Sequence, residues 1–304
     1  MKIIITGGAG FIASHIADEY IKSGHKVIII DNLQTGFRKN INPKAKFYKA
    51  DIKNLQEIRK IFKKEKPDIV NHHAAIAEVI KSVRDPLPTL ETNVIGTVNL
   101  LLAGGEIGIK KFIFSSTGGA IYGEPKNIPV SESTPASPLS PYGLSKLLAE
   151  ESIKFYAKNF NFNYLIFRYA NVYGPRQNPK GEAGVVAIFS DLMRDNKQPV
   201  IFGDGSKTRD YVYISDIVRA NVLGLSKCKN EIINLGWGKE ISDYLVFKTI
   251  AKNLNFPYPP HYAPYRAGEV NHISISAKKA EKKLNWKPKI KFEEGIKKYL
   301  LTLN

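Results

Sequence analysis

Thr6-Gly7-Gly8-Ala9-Gly10-Phe11-Ile12-Ala13 is the stretch on which the fold turns. It follows a short apolar run, residues 3–6, and opens a segment with apolar residues at helical spacing, Ile12, Ile16 and Tyr20. Glycines between a strand and a helix permit a tight turn and let a pyrophosphate approach the N–H groups of the helix N-terminus. The spacing is G-x-x-G-x-x-A, carried by Gly7, Gly10 and Ala13, not the G-x-G-x-x-G of many dehydrogenases. A glycine cluster alone is as readily a plain turn; the strand before it and the helix after it point to a dinucleotide. Asp31 closes the next β-branched run, residues 27–30, about 20 residues beyond the loop. A carboxylate there can accept hydrogen bonds from the adenosine ribose and repels a 2′-phosphate, which favours NAD over NADP. Asp51 and Ile52 follow a third run and could border the adenine, although a turn aspartate has the same spacing.

The pattern continues outward from this loop. Residues 47–50, 68–70, 111–115 and 164–168 read as strands, and 11–22, 55–62, 87–102 and 144–157 as helices. Short apolar strands alternating with amphipathic helices predict an α/β fold, a Rossmann-type doubly wound parallel sheet. Beyond Asn171 proline and glycine become frequent, with helices at 185–194, 215–226, 244–254 and 277–284. We expect a dinucleotide-binding domain over residues 1–171. Interleaved with it, residues 172–304 form a smaller mixed α/β portion that closes over the mouth of the sheet.

Ser140-Pro141-Tyr142-Gly143-Leu144-Ser145-Lys146 carries the chemistry. Tyr142 and Lys146 are four apart at a helix start and share one face. An ammonium beside a phenol stabilises the phenolate and makes it usable as a general base near neutrality. By itself the pair is common by chance. The preceding strand ends in hydroxyls, Ser115-Ser116-Thr117, at the sheet edge where α/β ligands sit. A hydroxyl there and a phenol from the next helix can converge on one substrate oxygen.

Composition narrows the classes. Of 304 residues, 43% are hydrophobic and 24% charged, an ordinary globular balance. No window approaches the roughly 20 apolar residues of a membrane span. The opening run is too short for a secretion signal. With one cysteine, Cys228, a reducing cytoplasmic setting is the expectation. The net charge of +17 is mostly lysine spread along the chain. Without arginine–aromatic interleaving it reads as a solvated surface, and no nucleic-acid partner is expected. The adjacent His72 and His73 point to opposite faces of a strand, so no metal site is expected.

These motifs together, with Asn171-Val172-Tyr173-Gly174-Pro175-Arg176-Gln177 and Arg209-Asp210-Tyr211-Val212-Tyr213, resemble the extended short-chain dehydrogenase/reductases. More narrowly they resemble the UDP-glucose 4-epimerase-like nucleotide-sugar epimerases. The resemblance runs from Lys2 to about Pro288. It implies an NAD-dependent isomerase acting at C4 of a UDP-hexose, with Thr117, Tyr142 and Lys146 catalytic and Ser116 an alternative to Thr117. It implies further cofactor contacts at Phe11, Ile12, Asn32, Thr35, Gly36, Ala74, Ala75, Asn93 and Tyr169. On the substrate side it implies Asn171, Val185, the diphosphate-clamping Arg209 and Arg266, and Glu269 on the uridine ribose. The position that gates the sugar at C2 falls on Ile273 or its neighbour Ser274. Gly119 and Ala120 stand where related 4,6-dehydratases carry acids, which argues against elimination of water. A UDP-glucuronate 4-epimerase, another nucleotide-sugar oxidoreductase, and a non-catalytic NAD- or nucleic-acid-binding protein on the same fold are the rival readings. A homodimer is implied, through the helices at 87–102 and 144–157.

Overall fold

The computed structural model describes residues 1–180, 184–266 and 268–303. The chain alternates strand and helix from its start: β1 (Lys2–Thr6), α1 (Phe11–Lys22), β2 (Lys26–Asp31), β3 (Lys46–Lys49), α2 (Leu55–Glu65) and β4 (Ile69–His72). Next come α3 (Val79–Arg84) and α4 (Leu87–Leu90), which runs through a π-type turn at Glu91–Ile95 into α5 (Gly96–Glu106). They are followed by β5 (Lys111–Thr117), α6 (Pro141–Phe160), β6 (Asn163–Tyr169) and β7 (Asn171–Tyr173). The remainder holds α7 (Val185–Arg194), β8 (Val200–Phe202), β9 (Thr208–Arg209), β10 (Tyr211–Tyr213), α8 (Ile214–Ser226) and β11 (Glu231–Leu235). The last elements are β12 (Ile241–Ser242), α9 (Asp243–Leu254), β13 (His261–Ala263), α10 (Lys278–Leu284) and α11 (Phe292–Leu300).

Among the described residues, seven strands form one parallel sheet in the order β11-β6-β5-β4-β1-β2-β3. The doubly wound Rossmann-type fold expected from the sequence is therefore present. β1 lies between β2 and β4, so the chain winds one way to β3 and then the other way from β4. That reversal opens a crevice beyond the carboxyl ends of β1 and β4. The strands are apolar on both faces because helices cover both. Ile3, Ile5, Ile29 and Phe167 enter one buried cluster with Tyr20 of α1 and Ile217 of α8. Ile4, Ile28, Ile30 and Phe114 enter another with Ile58 of α2, Leu100 of α5 and Ile153 of α6. A third cluster joins Tyr173, Phe189, Tyr211, Phe247 and Phe292 in the later part of the chain.

Several elements depart from expectation. The single helix at 87–102 is instead interrupted by the π-type turn and extends to Glu106. The helices α3 and α11 were not anticipated, nor was β11, which adds the last strand beside β6 from residues beyond 172. α11 buries Phe292, Ile296, Tyr299 and Leu300, spaced i, i+4, i+7 and i+8, a helical period that was legible in the sequence.

Candidate active site

The glycine turn is built as the crevice requires. Gly7 has φ +70°, a left-handed conformation that favours glycine. A Cβ on it would stand 2.7 Å from the Ala74 nitrogen, so the β1 and β4 loops touch backbone to backbone. Gly10 is the N-cap of α1 and offers no side chain to the first-turn amides, so a ligand anion can take them. Asp31, at the end of β2, is 8% exposed and accepts from the Ala9 amide at 3.0 Å and the Leu33 amide at 2.7 Å. Burial pushes its carboxyl above the usual aspartate value, against these two donors. Asn32 Nδ2 donates to Asp51 Oδ2 at 3.2 Å, tying the loops after β2 and β3 together.

A cavity of about 680 Å³ runs from this turn toward the later part of the chain. Its wall includes Gly7, Gly10, Phe11, Ile12, Asp31, Asn32, Thr35, Gly36, Asp51, Ile52, Ala74, Ala75 and Tyr169. Asn93 is the exception among the expected cofactor residues. It is buried off the wall, with Oδ1 accepting from the Ile76 amide and Nδ2 donating to the Ile76 carbonyl, both at 2.8 Å. Asn40 was missed; its Nδ2 donates to the Ala9 carbonyl at 3.1 Å and braces the glycine turn.

Thr117, Tyr142 and Lys146 line the middle of the same cavity. α6 starts cleanly: Ser140 Oγ accepts the Gly143 amide at 3.2 Å, and Pro141 has no N–H to satisfy. A Cβ on Gly143 would stand 2.6 Å from the Ala120 carbonyl, so the helix start sits tight on the 118–120 loop. Lys146 is buried; its Nζ donates to the Ser115 carbonyl at 2.9 Å and lies 4.8 Å over the Phe114 ring. Strand alternation separates the two candidate hydroxyls. Ser116 Oγ donates to Glu150 Oε1 at 2.5 Å, inside a buried pair in which Arg168 Nη2 meets Glu150 Oε2 at 2.6 Å. Thr117 faces the other way.

The two histidines are neutral fixtures of the β4 end. His72 lies between Thr6 Oγ1 at 2.7 Å and Thr97 Oγ1 at 2.9 Å. The Thr97 hydroxyl already donates to the Asn93 carbonyl, so His72 carries its proton on Nε2 and accepts from Thr6. His73 stacks on the Tyr169 ring, with Nε2 3.3 Å from the phenol oxygen. Burial, then the nearby Lys146 charge, holds His73 down to about 3 and His72 well below the usual histidine value.

The far end of the cavity is cationic. Asn171, Val185, Arg209, Arg266 and Glu269 line it, as expected, together with Lys207, which the sequence reading passed over. Lys207 is buried, ion-paired to Glu269 and 3.8 Å from Asp243. Arg266 lies 3.3 Å over the Phe202 ring and 4.0 Å from Glu269. α7 begins at Gly184 without a side-chain cap among the described residues, so a second helix N-terminus meets the cavity. Ile273 and Ser274 are each 2% exposed and off the wall, because the Ser274 carbonyl and Ser276 amide bond to Val130 and draw the segment into the core.

The sequence profile of the NAD dependent epimerase/dehydratase family matches residues 3–236. The chain belongs to this family. A provisionally named UDP-glucose 4-epimerase of Methanocaldococcus jannaschii is 49% identical over 296 residues, covering 97% of this chain and 96% of the relative. The crystal structure of UDP-glucose 4-epimerase with UDP-glucose from Thermotoga maritima is 45% identical. It superposes with a TM-score of 0.98 over 100% of this chain and 98% of that one. The Thermus thermophilus UDP-glucose 4-epimerase in complex with NAD is 37% identical. Its TM-score is 0.95, over 99% of this chain and 98% of that one. For this epimerase/dehydratase the cofactor is NAD, and the residues fit it: the uncapped α1 start, the Gly7–Ala74 contact and the Asp31 carboxylate suit a pyrophosphate and an unphosphorylated adenosine ribose.

Proposed function

We propose that the protein inverts C4 of a UDP-hexose, the UDP-glucose/UDP-galactose pair first among them. The observation that carries this reading is one cavity with a phenol, a hydroxyl and an ammonium at its centre and Lys207, Arg209 and Arg266 at its far end. The dinucleotide turn closes the near end, so a nucleotide sugar has its anionic half placed away from the cofactor and its sugar between them. NAD, when bound, supplies a hydride acceptor and donor beside C4.

The chain's own groups do the rest. The Tyr142 phenolate takes the proton of the 4-hydroxyl, and Thr117 donates to the same oxygen, Ser116 being committed to Glu150. Lys146, held by the Ser115 carbonyl, keeps a positive charge one helical turn from the phenol and favours its ionised form. The 4-keto sugar turns over about its phosphate bonds while Arg209, Arg266 and the α7 start hold the diphosphate. Glu269 accepts the uridine ribose hydroxyls. Tyr142 then returns the proton to the opposite epimer. Incubating the protein with UDP-glucose, UDP-N-acetylglucosamine and UDP-glucuronate separately, and following the anomeric protons by NMR, tests this. Inversion of UDP-glucose is expected; inversion of none of the three sinks the reading.

A homodimer belongs to the same proposal. Leu144, Leu148 and Phe155 expose one face of α6, and Leu87 and Ile95 are exposed on the neighbouring α4–α5 helix. Pairing these faces gives a four-helix seam between two copies. The setting we propose is the cytoplasm.

A further inference from the structure

We infer that Ser82 is a positioning residue for Tyr142, through which the wall of the cofactor crevice sets the register of the reacting helix. The inference rests on the reading of Tyr142 as the acid–base group. Ser82 lies on α3 and is fully buried. Its Oγ donates to the Val79 carbonyl at 2.7 Å, which leaves its lone pairs to accept the Tyr142 main-chain N–H at 3.1 Å. Tyr142 is the second residue of α6, ahead of the first N–H that the helix's own carbonyls can take. The N-cap, Ser140, reaches the Gly143 amide instead. The Tyr142 amide is therefore held from another element.

The carbonyl side is tied to the same region. Ser145 Oγ donates to the Tyr142 carbonyl at 2.7 Å and accepts from Asn93 Nδ2 at 2.9 Å. Asn93 in turn grips both polar backbone groups of Ile76. Both peptide groups of the tyrosine thus lead to residues 76–82, and Ile76, Val79 and Lys81 of that segment line the cavity. A general base works only within hydrogen-bond reach of the proton it takes, and a shift of about 1 Å can cost ~10²-fold. Ser82 fixes that reach without touching substrate or cofactor.

Two measurements on wild type and Ser82→Ala test this. In protein labelled on its tyrosine amides, Ser82→Ala should speed hydrogen exchange at Tyr142 about tenfold and leave Tyr169, in the central sheet, unchanged. In C4 inversion by the cofactor-loaded enzyme, kcat should fall about tenfold with KM within about twofold, the split expected of a misplaced acid–base group. Unchanged exchange at Tyr142, or faster exchange with an unaltered kcat, overturns the inference. A wild type that inverts no UDP-hexose overturns the functional reading and the positioning role with it. The exchange result would then still report whether Ser82 holds the Tyr142 amide.

Discussion

Gly7 and Ala74 meet backbone to backbone, with room for no side-chain atom between them: a Cβ on Gly7 would stand 2.7 Å from the Ala74 nitrogen. The contact joins the two loops that diverge at the sheet's reversal. Gly7→Ala meets the clash and the left-handed φ together. We expect a loss of about 1–2 kcal/mol from the backbone strain alone, and a fall in NAD retained through purification. Urea titration and the absorbance of nucleotide released from the denatured protein check both. A variant with wild-type cofactor content would refute this placement of the crevice.

Tyr142→Phe removes the proton acceptor and leaves the packing. Turnover should drop by about 10²–10⁴-fold while NAD content and melting temperature stay close to wild type. Thr117→Val should also slow turnover, whereas Ser116→Ala should act mainly on stability through its bond to Glu150. A larger kinetic effect from Ser116→Ala than from Thr117→Val would reverse the assignment of the hydroxyl.

Glu150 and Arg168 form a buried pair behind β5. Glu150→Gln leaves the guanidinium without its counter-charge and should cost about 3–5 kcal/mol. Replacing both residues by methionine should recover much of that loss. Denaturant titrations of the three proteins decide it; a double variant no better than Glu150→Gln would argue against uncompensated charge as the cause.

His72 and His73 are held neutral by burial and by Lys146, His73 down to about 3. In the unfolded chain both take a proton near 6.5. The unfolded state then binds more protons from about pH 6.5 downward, so stability is lost as pH falls through that window, by up to ~1.4 kcal/mol per pH unit for each ring. His73→Phe keeps a ring against Tyr169 and should flatten the slope between about pH 6 and pH 5 by roughly one proton. Urea titrations across that range would show it, and an unaltered slope would contradict it.

Leu148 and Phe155 stand 41% and 61% exposed on α6. Replacing both by glutamate should convert a dimer to a monomer in light scattering, with bound NAD retained. A wild type that is already monomeric would dispose of the four-helix seam.

The turn at Gly7 to Ala13 and the helix start that carries Tyr142 and Lys146 were legible as local structure because each depends on local chemistry: a strand end, a glycine spacing, an i,i+4 pair. At the end of β5 the structure adds that the Ser116 hydroxyl is engaged by Glu150. What the sequence did not show is long-range. Ser82 and Lys207 matter through partners 60 and 62 residues away, and neither position carries a motif. Asn93 was placed on the cofactor by resemblance, whereas its side chain is taken up by Ile76 and Ser145. The segment of Ile273 and Ser274, where the resemblance puts the position that gates the sugar at C2, pairs with Val130 and is buried. β11, which pairs with β6, was not read as a strand.

The most direct measurement uses UDP-glucose deuterated at C4 of the hexose, incubated with the protein in ordinary water and followed by NMR. If hydride leaves C4 and returns within one closed site while Tyr142 handles only the hydroxyl proton, the UDP-galactose formed keeps its deuterium at C4. UDP-galactose that has lost the label to solvent, or no UDP-galactose at all, would contradict the mechanism.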